Sequence, residues 1–119
     1  MPPELNKLLI DIQVALPEIQ DFTAGMNLNS YRADSKCKAA VERKFEIIGE
    51  ACTRMRDRFP ETFEKLANGH HIIGFRNRLI HGYDSVDDGI VWDVLQTKLS
   101  DLHRGVEAFI ATRGLRFED

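Results

Sequence analysis

Apolar residues recur at steps of three and four along most of the chain, and these stripes define its expected elements. Leu5, Leu8, Ile12, Ala15, Ile19 and Phe22 share one face of a helix predicted over residues 4–24. Pro17 lies inside that pattern and removes a backbone donor, so a kink is expected at residues 13–17, and Gly25 ends the helix. Residues 27–33 read as a loop or short helical turn. Asp34 then caps a second long helix with the cleanest stripe in the chain: Cys37, Val41, Phe45, Ile48, Cys52, Met55 and Phe59. Pro60 stops it. A short helix over 61–67 is broken by Asn68-Gly69. A third main helix, with Ile72, Phe75 and Leu79 inward, runs from His70 to His81 and ends at Gly82. Ser85 or Asp87 caps one final long helix that buries Val91, Leu95, Leu99, Leu102, Val106 and Phe109 and closes at Gly114. No segment alternates with a period of two. The expectation is an all-α antiparallel four-helix-type bundle with short extra helices, forming a single domain over residues 1–119.

Composition narrows the class. A chain of 119 residues with 43% hydrophobic and 29% charged residues suits a folded domain that needs neither disulfide nor structural metal. No apolar run approaches the ~18 residues of a membrane span. The opening segment, MPPELNKLLIDIQ, lacks a signal-peptide layout. Cys37 and Cys52 form no CxxC pair and fall on the apolar stripe, which points to a reducing cytoplasm. The net charge of −3 argues against indiscriminate nucleic-acid binding, but the charge is unevenly placed. Residues 65–83 carry Lys65, Arg76, Arg78 and three histidines with no acid, whereas 84–101 hold five aspartates against Lys98. A local positive field is enough to settle a phosphate.

Several chemistries are missing their signatures: no GxGxxG, no Walker loop, no HExxH and no Glu-x-x-His. His70 and His71 are neighbours on a helix and point about 100° apart, which is poor for joint metal ligation. No cofactor is expected. What remains is Arg76-Asn77-Arg78-Leu79-Ile80-His81-Gly82-Tyr83. A histidine, titrating near ~6.5 when unperturbed, can take a proton from a ribose 2′-OH or give one to a leaving 5′-oxygen. An arginine forks onto phosphate oxygens where charge builds in the transition state. Together these parts suffice for metal-free transesterification of RNA to a 2′,3′-cyclic phosphate. Each residue also has an ordinary explanation: Arg76 as a surface ion-pair partner, His81 as a complement to the helix dipole, Tyr83 as a core residue with a satisfied hydroxyl. Arg76 and His81 stand about 140° apart around a helix, whereas Asn77 and His81 share a face. One chain therefore presents an incomplete constellation, which a two-fold dimer, or unwinding at Gly82 that re-aims His81, is expected to complete.

The stretch from Arg76 to Tyr83 resembles the Arg-x4-His-x-Tyr motif of the HepT-like HEPN ribonucleases, the toxin halves of two-gene toxin–antitoxin systems. The likeness extends to Glu42-Arg43-Lys44-Phe45-Glu46-Ile47-Ile48-Gly49-Glu50-Ala51, to Ile72-Ile73-Gly74-Phe75-Arg76-Asn77 and to Val86-Asp87 through Trp92-Asp93. One departure is Gly69-His70-His71, where the family often carries a tryptophan. The resemblance implies a homodimeric, metal-independent endoribonuclease with Arg76 and His81 catalytic at the dimer cleft. It further implies an MntA-like nucleotidyltransferase antitoxin that transfers AMP to Tyr83. Asn77 is expected to support His81, Arg78 to contact RNA, Gly49 to permit close helix approach and Glu50 to pair with Arg54. The competing reading is a non-catalytic helical dimer that binds nucleotides or serves as the regulatory subunit of a nucleotidyltransferase.

Overall fold

The computed structural model describes residues 3–81 and 86–112. Among the described residues there are seven helices and no strand: α1 (Pro3–Phe22), α2 (Leu28–Ala33), α3 (Ser35–Arg58), α4 (Pro60–Glu64), α5 (Gly69–His81), α6 (Asp88–Thr97) and α7 (Leu99–Thr112). This is the all-α architecture that the pattern predicts.

Local chemistry sets the helix boundaries. Gly25, with φ of +76°, turns the chain after α1. Asn27 and Ser30 form a capping box at the start of α2: each side-chain oxygen accepts the other residue's backbone N–H at 2.9 Å. The Asp34 carboxylate accepts the Cys37 N–H at 2.9 Å and opens α3. Pro60 occupies the first turn of α4, where its missing N–H costs nothing. Asn68 sits in the left-handed region at φ of +69°, a conformation asparagine tolerates better than most residues, and α5 begins immediately after it.

Helix α3 is the spine. Its residues Cys37, Val41, Phe45, Ile48, Cys52 and Met55 are all buried, and Phe59 packs partly against them. Helix α1 packs against both α3 and α7. Its buried face is accordingly wider than one stripe and includes Leu9 and Leu16 as well as Leu5, Leu8, Ile12, Ala15 and Ile19. Phe22, read as part of that stripe, is the last residue of α1 and is exposed. Ion pairs show that α1 and α3 run antiparallel: Glu4 meets Arg58, and Glu18 meets Lys44 at 3.1 Å, so early residues of one helix face late residues of the other. Helix α1 continues through Pro17 as one element.

One expectation needs correction. The final helix is two helices, α6 and α7, separated at Lys98. The interruption has two causes. The Asn68 side-chain amide donates to the Lys98 carbonyl at 3.0 Å, taking an acceptor that belongs to the helical ladder. The Thr97 hydroxyl donates back to the Asp93 carbonyl at 2.7 Å, a bond that bends helices. The expected terminators Gly82 and Gly114 and the alternative cap Ser85 lie outside the described residues. Asp87 does cap α6, accepting the Gly89 N–H at 2.7 Å.

Candidate active site

Helix α5 positions the motif. Ile72, Ile73, Phe75 and Leu79 bury its inner face, with Phe75 edge-on to Phe45 of α3 at 4.9 Å between ring centroids. The alternation leaves Asn77, Arg78 and His81 exposed on the outer face. His70 closes the start of the helix: its Nε2 lies 2.7 Å from Glu64 Oε1, and its ring stands edge-on to Phe63.

Asn77, Arg78 and His81 line one wall of a cleft of about 340 Å³. Phe75, Leu79 and Val91 contribute its apolar floor, and Asp87 and Ile90 its opposite wall. That opposite wall is held by α2 and α3. Tyr31 of α2 is fully buried and packs against Trp92 of α6 at 5.4 Å. Lys38 of α3 pairs with Asp88 at the first turn of α6 at 3.1 Å. Burial, reinforced by the Glu42 and Asp88 carboxylates, pushes the Tyr31 phenol well above its ordinary value. Burial, and then Asp88, raises Glu42. Cys52 is raised to about 12 by burial, so its thiol is inert.

Arg76 is absent from the lining of this cleft. Its side chain is half-buried and crosses α3 at Gly49, where an added Cβ would overlap Arg76 Cβ and Cγ. No carboxylate among the described residues forms an ion pair with Arg76, and its buried Nε has no hydrogen-bond partner there. Among the described residues the guanidinium is thus held by its stem rather than by a counter-charge. Arg78 likewise makes no ion pair among the described residues, in contrast to Arg54, which pairs with Glu50 at 3.1 Å as the helix spacing predicts.

The structure therefore brings Asn77, Arg78 and His81 together and sets Arg76 apart on the flank against α3. Tyr83, expected as the modification site, lies outside the described residues. Two features escaped the sequence reading. Asp87 is visible in the sequence only as a cap, yet the residue also lines the cleft. Gly49 was read as a contact point between helices, but nothing in the sequence assigns Arg76 as the group received there. Among the described residues no three His, Cys, Asp or Glu side chains are grouped as metal ligands, and no helix is long and apolar enough to cross a membrane.

The comparisons with known proteins agree in direction. The family described as ribonuclease HepT-like matches residues 12–109. A protein of Methanocaldococcus jannaschii named as an inferred RNase is 28% identical, covering 90% of this chain and 88% of its own length. A second from the same organism, similarly named, is 30% identical over 90% of this chain and 91% of its own length. An inferred ribonuclease HepT of Thermococcus cleftensis is 30% identical over 79% of this chain and 84% of its own. No solved structure gives a significant match.

Proposed function

The chain belongs to the HepT-like ribonuclease family, and from that membership we propose that it is a metal-independent endoribonuclease, the toxin of a toxin–antitoxin pair acting in the cytoplasm. The observation that carries the reading is the motif's own layout. An exposed imidazole stands at the end of α5 beside Asn77 and Arg78, and a guanidinium one turn back has no partner among the described residues to neutralise it. In the proposed reaction His81 takes the proton of a ribose 2′-OH, and the 2′-oxygen attacks the adjacent phosphorus. The bond to the 5′-oxygen breaks, and that oxygen leaves with a proton from a second acid. Arg76, which lies apart from His81 within one chain, meets the phosphate in the proposed two-fold dimer and holds the charge that builds on the phosphoryl oxygens. Products are a 2′,3′-cyclic phosphate and a 5′-hydroxyl. The test is purified protein against total RNA with EDTA present, wild type beside His81→Ala.

The proposed second acid is the His81 of a second copy. Gly74 supports that arrangement. It lies mid-helix on the exposed side of α5, where glycine is about 0.5–1 kcal/mol worse than alanine, and a Cβ there would meet nothing within 4 Å. The close approach that such a glycine permits is then made by another molecule. We expect a dimer by sedimentation equilibrium at micromolar concentration, and a monomer without RNase activity for Gly74→Arg. A monomeric wild type would remove the dimer from the proposal.

Inhibition is proposed to occur by AMP transfer from a nucleotidyltransferase antitoxin to Tyr83. Each AMP replaces a neutral phenol with a phosphodiester of about one negative charge, which competes for the cations that must hold RNA. After incubation with the antitoxin and ATP, intact-mass measurement should show AMP-sized steps on wild type and none on Tyr83→Phe. Modification mapping elsewhere would remove Tyr83 from this role.

A further inference from the structure

We propose that the cleft beside His81 is a nucleobase subsite that favours bases bearing an exocyclic amine, with Asp87 as its reading group. The inference rests on the ribonuclease reading and deepens it. The cleft's volume of about 340 Å³ sits at the small end of ligand pockets, which run from roughly 300 to 1,000 Å³. It takes a flat heterocycle and is too small for a peptide helix.

Its two walls differ in sign. The α5 wall offers Arg78 and His81, where a phosphate would be drawn. The α6 wall is lined by Asp87, an acidic residue that repels a phosphate and whose carboxylate accepts hydrogen bonds from a base. Between them lies the apolar floor of Leu79 and Val91, against which a base plane can lie. A nucleotide therefore enters with its phosphate toward α5 and its base edge toward Asp87. One carboxylate oxygen, Oδ1, already accepts the Gly89 N–H, which fixes the side chain's direction and leaves Oδ2 for the ligand. Arg32 reaches the same turn from α2: a Cβ at Gly89 would lie 3.3 Å from its Nη2 and 3.0 Å from Asp87 Oδ1. Among the described residues no ion pair joins Arg32 to Asp87, and the Arg32 guanidinium reaches the outer side of this turn, where a flanking phosphate would pass.

A carboxylate only accepts. Cytosine presents an N4 amine to it, whereas uracil presents the O4 carbonyl at that place, an acceptor facing an acceptor. Adenine and guanine also carry amines, but cytosine and uracil are the cleanest pair because size and stacking are matched. Single-stranded RNA is read in this way, by base edges splayed into protein pockets.

The probe is fluorescence anisotropy of the full-length protein with 2′-O-methyl oligo(C) and oligo(U) of equal length, in which the attacking oxygen is blocked. Oligo(C) should bind about tenfold more tightly, the lower range of discrimination for a good base-edge contact. Asp87→Asn and Asp87→Ser both keep a side chain able to cap α6, so the fold is retained while the reading group is lost. Asp87→Ser should bring the two affinities within about twofold, and Asp87→Asn, whose amide nitrogen donates where the carboxylate accepted, should shift the preference toward oligo(U). Equal affinities in wild type, or a cytosine preference that survives in both variants, would overturn the subsite. So would failure to bind either oligonucleotide. The ribonuclease reading is judged separately, by cleavage of total RNA in EDTA, and stands or falls on that result.

Discussion

Replacing His81 with alanine should slow RNA cleavage by about 10²–10⁴-fold with chelator present, the usual size of general acid–base help, and leave the fold nearly untouched. The two halves of this expectation come from the same placement. His81 is the last residue of α5 and is exposed. A substitution there removes no core contact, and the loss of a helix-end charge complement costs only about 0.3–1 kcal/mol. A large fall in rate with an unchanged unfolding midpoint therefore separates chemistry from stability. Added imidazole should restore part of the lost rate, because a free base can enter where the side chain was. Arg76→Ala should cost a similar factor through lost charge stabilisation. Arg76→Lys should fall between, keeping the charge but not the planar fork. If His81→Ala cleaves as fast as wild type, or if EDTA stops the wild type, the proposed mechanism is wrong.

The residues that sequence spacing could place are those whose surroundings lie on one helix. The α3 stripe from Cys37 to Met55 is buried because its four-and-three steps keep one face turned inward. The same 100° step places Asn77 and His81 together on the cleft and sends Arg76 elsewhere. Where a long-range contact decides, the pattern falls silent. Tyr31 belongs to a helix of six residues, too short to show a period, and its burial depends on Trp92 far along the chain. The break at Lys98 is set by the Asn68 amide, thirty residues distant, against a hydrophobic stripe that runs on unbroken. The cleft itself exists only because α6 returns beside α5, fastened by Lys38 to Asp88. The composition of residues 86–91 carries no sign of which wall they will form.

Gly49→Ala is expected to damage both stability and activity, and the reason is the crossing of α3 and α5. Alanine in a helix interior is ordinarily better than glycine by about 0.5–1 kcal/mol. Here the added Cβ would lie under 3.0 Å from Arg76 Cβ and Cγ, closer than real Cβ atoms come. The Arg76 Cβ is fixed to its backbone and cannot swing away, so either the helices separate or α5 rotates. Separation is resisted by the Phe45–Phe75 edge-to-face pair beside the crossing. Overpacking of this kind typically costs about 1–3 kcal/mol, more than the propensity gain, so the net change should be destabilising. The catalytic consequence follows from the same displacement. Gly49 seats the stem of Arg76, and a shift of about 1 Å in a group that must meet a transition-state phosphate can cost ~10²-fold in rate. A double-mutant cycle distinguishes this steric account from a general loss of packing. Arg76→Gly removes the Cβ and Cγ that an alanine at position 49 would strike. The pair Gly49→Ala with Arg76→Gly should therefore be more stable than the two single effects add to, by about 0.5–3 kcal/mol, as read from denaturant midpoints. RNase activity should stay at the level of Arg76→Gly alone, because the guanidinium is gone. A Gly49→Ala protein that is more stable than wild type and cleaves RNA at the wild-type rate would show that α3 and α5 have room at this crossing, and that Arg76 does not depend on Gly49 for its place.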